Sequence, residues 1–440
     1  MSIENILFIL ILVACIFWFS KNVRTIRRNI NLGRDIDRTD RKKERWKKMF
    51  MVAVGQSKMV KKPISGMLHV LVYLGFVIIN IEVLEIIIDG VFGTHRIFAE
   101  PLGIVYDWLI GSFEVLALLV LLACIVFLIR RNILFIKRFG FREMKGWPKT
   151  DANIILIVEV LLMFAFLSMN GADAVLQTRG EAHYVEAGAF PVSSALQTTF
   201  ENFSTAALIG IERGTWWFHI VGILLFLNYL PYSKHFHILL AFPNVYYSKL
   251  TSKGQFTNME AVTNEVKMML DPNADPYAAP ADNQAAVERF GAKDVTDLSW
   301  KSLMDAYACT ECGRCTQQCP ASQTGKLLSP RKIMMDTRDR LEEKGKNIDR
   351  HGKDHQDGKS LLGDYIKEEE LWACTTCNAC VEACPVNIDP LSIIMEMRQS
   401  LVMEESKVPS ELTGMLTNIE NNGAPWQFAQ ADRAKWTENE

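Results

Sequence analysis

Charge bias is almost absent from this 440-residue chain: 48 Lys and Arg stand against 50 Asp and Glu, a net charge of −2. That balance points to no nucleic-acid partner, and the basic clusters all flank apolar runs, where membrane topology accounts for them. Basic residues are also missing ahead of the first apolar run. Glu4 stands there, and Lys21, Arg24, Arg27 and Arg28 come after it. A cleaved secretory signal has the opposite order, so residues 5–19 read as a retained span. Strand-like alternation is missing from the polar half, which excludes a β-rich domain there. Cysteine is scarce in the apolar half: only Cys15 and Cys124 occur, both inside apolar runs, where they read as small buried apolar residues.

What is present divides sharply. The first 240 residues hold long apolar runs, and the remainder is polar, charged and cysteine-rich. A length of 440 residues accommodates more than one domain. Besides 5–19, the runs 64–88, 104–129, 152–170 and 216–236 are long enough to cross a hydrocarbon core of ~30 Å. Basic residues follow the first span and, at Arg130, Arg131, Lys137, Arg138, Arg142 and Lys145, the third. The stretches 90–103 and 171–215 are poor in them, and Trp216 and Trp217 open the fifth run. By the positive-inside rule the N-terminus lies outside and the polar half in the cytoplasm, with the inner membrane as its address. Residues 20–63 read equally as a surface-lying amphipathic helix or as a solvated charged loop.

The polar half contains one pattern twice: Cys309-x2-Cys312-x2-Cys315-x3-Cys319-Pro320 and Cys374-x2-Cys377-x2-Cys380-x3-Cys384-Pro385. Eight of the ten cysteines belong to it. This spacing wraps three thiolates around a cubane iron–sulfur cluster and sends the fourth to the neighbouring cluster. The expected ligand sets are therefore Cys309, Cys312, Cys315 and Cys384 on one [4Fe–4S], and Cys374, Cys377, Cys380 and Cys319 on the second. Zinc would call for four ligands in each knuckle with a longer internal gap. Disulfides are disfavoured in a reducing cytoplasm.

Histidines within spans form a second set. His69 lies at the cytoplasmic end of the second span, with His235 and His237 at the same end of the fifth and His219 near its outer end. His69 and His237, from two helices at matched depth, suit the two axial positions of a haem b. Read as one helix, 216–236 puts His219 and His237 on the same face, roughly 27 Å apart. His219 and His235 mark a second haem or a quinone site, for which the second span offers no histidine partner. Gly66 and Gly222, three residues from His69 and His219, leave room for a macrocycle. Glu82, Glu85, Glu114 and Glu159 are intramembrane carboxylates suited to the proton exchange that quinone chemistry requires, or to hydrogen bonding between helices.

Residues 241–295 read as a linker, Pro/Ala/Asp-rich at 271–285. A dicluster domain follows at 296–405, with a helix opening at Ser329-Pro330 and another after Pro390. Residues 406–440 read as a tail for partner docking. The fold class expected is all-α, a five-span bundle over residues 1–240 followed by an α-helical ferredoxin.

At these motifs the chain resembles known families. Cys319-Pro320, Gly325-Lys-Leu-Leu-Ser-Pro-Arg-Lys-Ile333 and Cys384-Pro385 resemble the iron–sulfur subunits of heterodisulfide reductases, to which glycolate oxidase and anaerobic glycerol-3-phosphate dehydrogenase have related subunits. The membrane half is similar to the cytochrome b subunit of respiratory nitrate reductase. Pro231-Tyr-Ser-Lys-His235-Phe-His237 matches that family's inner-haem segment, with His69 the opposite ligand and His219 the outer one. Ile79 stands where the family's fourth ligand would fall. The resemblance implies two [4Fe–4S] clusters, haem b and a membrane quinone, menaquinone being the species expected. Asn418-Ile-Glu-Asn-Asn-Gly-Ala-Pro-Trp426 resembles the passage before the Cys-Cys-Gly domains of heterodisulfide-reductase-type subunits. With no adjacent cysteine pair in this sequence, the expected partner is a separate cytoplasmic Cys-Cys-Gly-domain or flavoprotein redox subunit. The function implied is electron transfer between that partner and the quinone pool; the alternative is a non-catalytic anchor and relay for a separate dehydrogenase or reductase.

Overall fold

The computed structural model describes residues 2–252, 254–272 and 289–438, so most of the Pro/Ala/Asp-rich stretch at 271–285 lies outside the described residues. The described residues form helices and turns, with only two isolated β-bridges. Helix α1 (Ile3–Ile30) is followed by α2 (Lys42–Met49), α3 (Pro63–Phe92), α4 (Ile104–Asn132), α5 (Trp147–Thr178) and α6 (Thr205–Tyr229). Local chemistry sets these boundaries. The Ser2 hydroxyl accepts the Asn5 amide to cap α1, and Pro63 opens α3 where its missing N–H does no harm. Gly93, at φ +75°, closes α3 in the left-handed conformation that glycine tolerates.

Helices α1, α3, α4 and α5 are long and apolar enough to cross a membrane, which makes the chain a membrane protein. Helix α5 is the centre of the bundle, packed between α4 and α6. Phe8 of α1 lies flat against Gly90 of α3; a Cβ there would sit 2.7 Å from the ring. The helices outrun the apolar stretches. At 28 residues α1 is about 42 Å long and carries its basic end beyond the hydrocarbon into the ferredoxin half.

The expected fifth span, 216–236, is not one helix. Helix α6 begins earlier, at Thr205, and stops at Tyr229, because Pro231 has no amide to continue it. Two 3₁₀ turns follow, and α7 (His237–Tyr246) starts afresh. His219 and His237 therefore belong to different helices, and the one-face expectation is corrected. Helix α6 also carries Glu212 and Arg213, side by side as an ion pair, within its length.

Helix α7 and α8 (Glu260–Leu270) occupy part of the expected linker. The cysteine domain is built from α9 (Trp300–Ala308), α10 (Arg314–Gln318), α11 (Pro330–His351), α12 (Ala379–Ala383) and α13 (Pro390–Gln399); α14 (Ser410–Asn422) lies beyond it. Its core is shared with the membrane half. Ile26 and Ile30 of α1, with Leu230 and Phe236, pack into one buried cluster with Leu298, Leu303, Tyr307 and Leu341. Of residues 20–63, the first eleven continue α1 and 42–49 form helix α2. Its Arg45 is buried and donates to the carbonyls of Tyr246 and Ser248 while pairing with Asp40.

Candidate redox centres

The two cysteine runs fold alike. In each, the residue before the second cysteine and the residue after it are left-handed: Glu311 and Gly313 in the first run, Thr376 and Asn378 in the second. This double reversal winds the chain around a point and turns amide N–H groups inward. Thr376 donates to Cys374 Sγ at 3.4 Å, and Ile388 to Cys384 Sγ at 3.3 Å. Helices α10 and α12, which follow the two loops, pack against one another. Packing brings Cys384 within electrostatic reach of Cys309, Cys312 and Cys315, and Cys319 within reach of Cys374 and Cys380. Burial pushes the Cys309 thiol up to about 12 and Cys384 to about 11. Thiolates at these sites need a cationic centre to hold them charged.

The first run faces the membrane half. Glu311 forms a buried ion pair with Lys234 and a second with Arg338 at 2.8 Å. Arg331 is fully buried; it pairs with Glu143 at 2.7 Å, donates to the Arg138 carbonyl at 2.8 Å and lies against Gly313. Gly313 is thus required twice, by its φ of +72° and by the guanidinium on its Cα. Arg314 reaches the Met59 sulfur at 2.9 Å. From the second run, Lys58 contacts Asn387 at 2.9 Å and Asn244 donates to the Val386 carbonyl at 3.0 Å. Cys377 faces away from these contacts and is exposed, whereas Cys309, Cys319 and Cys380 are buried.

His69 and His237 come together with ring centroids 6.5 Å apart. The Nδ1 of His237 bonds the Lys234 carbonyl at 3.0 Å, while the buried Nδ1 of His69 has no partner. His235 stands 5.5 Å from His237 and 5.4 Å from Phe226. His219 is buried elsewhere, with Nδ1 on the Leu162 carbonyl at 3.0 Å and its ring on Phe166. His95 and His183 pair with one another in the loops after α3 and α5, 5.4 Å apart. The expected glycine clearances do not exist as such: a Cβ on Gly66 would meet the Met59–Val60 backbone, and one on Gly222 the Leu162 side chain.

The four carboxylates have different surroundings. Glu85 accepts from the Phe98 amide at 2.9 Å and Tyr106 Oη at 2.7 Å. Glu114 accepts from the Val192 and Ser193 amides and Asn170. Both anchor outer loops to the bundle. Glu82 is buried with one oxygen unpartnered, and Glu159 lies half-buried beside Cys124. Sequence reading missed Arg96, which is buried and joins Asp173, Tyr106 and Asn170. It also missed the roles of Lys234 and Arg331; for Lys234, its place directly before His235 was the available signal.

Residues 301–385 match the family described as 4Fe-4S dicluster domain, so this part of the chain is similar to iron–sulfur domains of that kind, and it is joined to long apolar helices. The "Probable iron-sulfur-binding oxidoreductase FadF" of Bacillus subtilis is 29% identical over 98% of this chain and 60% of its own length. The EtfAB:quinone oxidoreductase of Syntrophomonas wolfei is 26% identical over 91% of this chain and 55% of its own. A component of the ferredoxin/F420H2-dependent CoB-CoM heterodisulfide reductase of Methanosarcina acetivorans is 33% identical over 24% of this chain and 52% of its own. The chain spans less than two thirds of each of these relatives. No solved structure matches it significantly. The relatives and the domain agree on a redox role in electron transfer, as the resemblance at the cysteine motifs implied.

Proposed function

We propose that this chain passes electrons between a cytoplasmic redox partner and the membrane quinone pool. The observation that carries this reading is the docking of the first cysteine run against the His69–His237 pair. One residue, Lys234, hydrogen-bonds His237 through its carbonyl and pairs with Glu311 through its side chain. Cys309, Cys312, Cys315 and Cys384 would hold the cluster nearer the membrane, and Cys374, Cys377, Cys380 and Cys319 the outlying one. The exposure of Cys377 supports the latter as the partner-facing end.

His69 and His237 would hold haem b. Their ring centroids, 6.5 Å apart, leave a separation that a metal held by both imidazoles would fit. The carbonyl of Lys234 fixes the His237 tautomer and leaves Nε2 free to coordinate. The buried Nδ1 of His69 has no hydrogen-bond partner, so His69 lacks the orienting contact that His237 has. When bound, these groups supply one-electron redox chemistry; the protein orders them and shields them from water. Helix α6 serves as the fifth crossing, with the N-terminus outside and the cysteine domain in the cytoplasm of the inner membrane. A single haem is proposed, His219 being packed against Phe166 without a second imidazole in ring contact among the described residues. Glu82, with its unpartnered oxygen, is the carboxylate best placed for proton handling. The partner would be a flavoprotein or a Cys-Cys-Gly-domain redox unit.

The filled clearances at Gly66 and Gly222 favour the alternative, an anchor and relay without haem. Optical spectroscopy of the purified chain separates the two. The expected result is a bis-imidazole haem spectrum lost in His69→Ala and His237→Ala but kept in His219→Ala. A spectrum without haem removes the haem from the route.

A further inference from the structure

A cavity of about 710 Å³ lies where α1 leaves the membrane, walled by α1, the segment at 31–39, α7 and α9. Its volume falls within the range of pockets that bury small-molecule ligands. The wall combines apolar and polar side chains. Val23, Ile26 and Ile30 form a stripe along α1, spaced three and four residues apart, so one side of the cavity continues the face of a membrane helix. Phe236 and Trp300 face the interior. Polar groups line it as well: Arg27 interrupts the stripe on α1, Asn31 follows it, and in the next segment Asp35 and Thr39 are exposed while the Nε of Arg38 is buried without a hydrogen-bond partner.

Position distinguishes this cavity from a general lipid crevice. Helix α7 begins at His237, and Leu240, one turn further, lines the cavity. Helix α9 supplies Trp300 and Met304 and ends at Ala308, directly before Cys309. The two elements that form the inner wall are thus the two that carry a candidate axial histidine and the first cluster cysteine. An amphiphile with a polar, redox-active head and an apolar tail satisfies both the lining and the location. A phospholipid uses only the lining.

We propose that this cavity is the quinone site, with Arg38 facing a quinone oxygen, the ring against Phe236 and Trp300, and the tail along the α1 stripe. The assignment rests on the quinone-linked reading above. Reduction there takes two electrons, given up by the cytoplasmic redox partner, and two protons from cytoplasmic water at the Asp35–Thr39 edge. One O–H bond forms at each quinone oxygen. The reverse reaction returns both protons to the same side.

The test uses the full chain purified in detergent, with an azido-substituted short-tailed naphthoquinone for photolabelling and its unmodified parent for equilibrium binding. Labelled peptides should come from residues 23–39, 236–247 and 300–304. Arg38→Met, at a loop position that leaves the apolar core untouched, and Met304→Trp, which fills the cavity, should each weaken naphthoquinone binding at least tenfold. Their iron content and optical spectra should match the unmodified chain. Label confined to other segments, or unchanged affinity in both variants, overturns the assignment. So does loss of co-purifying phospholipid in Met304→Trp with naphthoquinone affinity retained, which would make the cavity a lipid site. A wild-type chain that lacks haem but labels here removes the haem reading and leaves this site standing.

Discussion

Single residues decide which cluster goes with which cysteine. Cys384 belongs to the second run in sequence but sits with the first in space, and Cys319 does the reverse. Cys377→Ser and Cys384→Ser should each lower non-haem iron from about eight to about four per chain. Low-temperature EPR should show the surviving signal to be different in the two variants; the same surviving signal in both would mean the crossed ligand sets are wrong. The cysteines were legible because their signal is local, twelve residues containing all the spacing information. The residues that seat them were not. Lys234 meets Glu311 across 77 positions, and Arg331 meets Glu143 across 188. No periodicity announces such pairs.

At the level of elements, the sequence marks helices by apolarity and so finds their membrane-embedded middles but not their ends. The expectation of 5–19 became Ile3–Ile30 because the residues after Phe19 continue the helix and pack on the cysteine domain. The break at Pro231 was written in the chain, yet apolar residues on both sides masked it, and the relation drawn between His219 and His237 failed for that reason. Helix α11 rests on a contact of another kind. Its Arg340 is fully buried between Asp294 and Asp357, at 2.7 and 2.6 Å. Arg340→Leu leaves both carboxylates without their cation and should cost on the order of 3 kcal/mol in denaturant unfolding. The same pairing holds the Asp357 carboxyl below the usual carboxylate range. Its stabilisation is therefore complete above the unfolded value of about 3.9 and is lost as pH falls below it. The gap in stability between wild type and Arg340→Leu should narrow between about pH 4 and pH 2; a gap that widens there would contradict the assignment.

For the whole molecule, the two halves dock rather than hang from a linker. Asn29 of α1 bonds Tyr307 at 3.0 Å, and Arg28 reaches the Gly345 carbonyl at 3.1 Å and pairs with Asp349. A Cβ on Gly345 would stand 2.5 Å from the Asn29 side chain. Gly345→Ala should thus loosen the docking while leaving the cysteine domain folded, read as faster proteolysis between residues 247 and 300 at unchanged iron content. Loss of iron together with that cleavage would place the effect inside the domain instead. The organisation into a membrane half and a dicluster half was legible from composition; the rigid seat between them was not, since it is made of residues far apart in the chain.

The function proposed above gives the docked arrangement a direction, from the exposed end of the cysteine domain towards the apolar helices. The most direct measurement reconstitutes the full chain in liposomes containing menaquinone and supplies a membrane-impermeant low-potential reductant to one face at a time. Menaquinol should form when the reductant meets the cysteine-domain face and should be absent when it meets only the other face. Equal menaquinol from both faces, or none from either with full iron content, would contradict a route from the cytoplasmic clusters to the quinone pool.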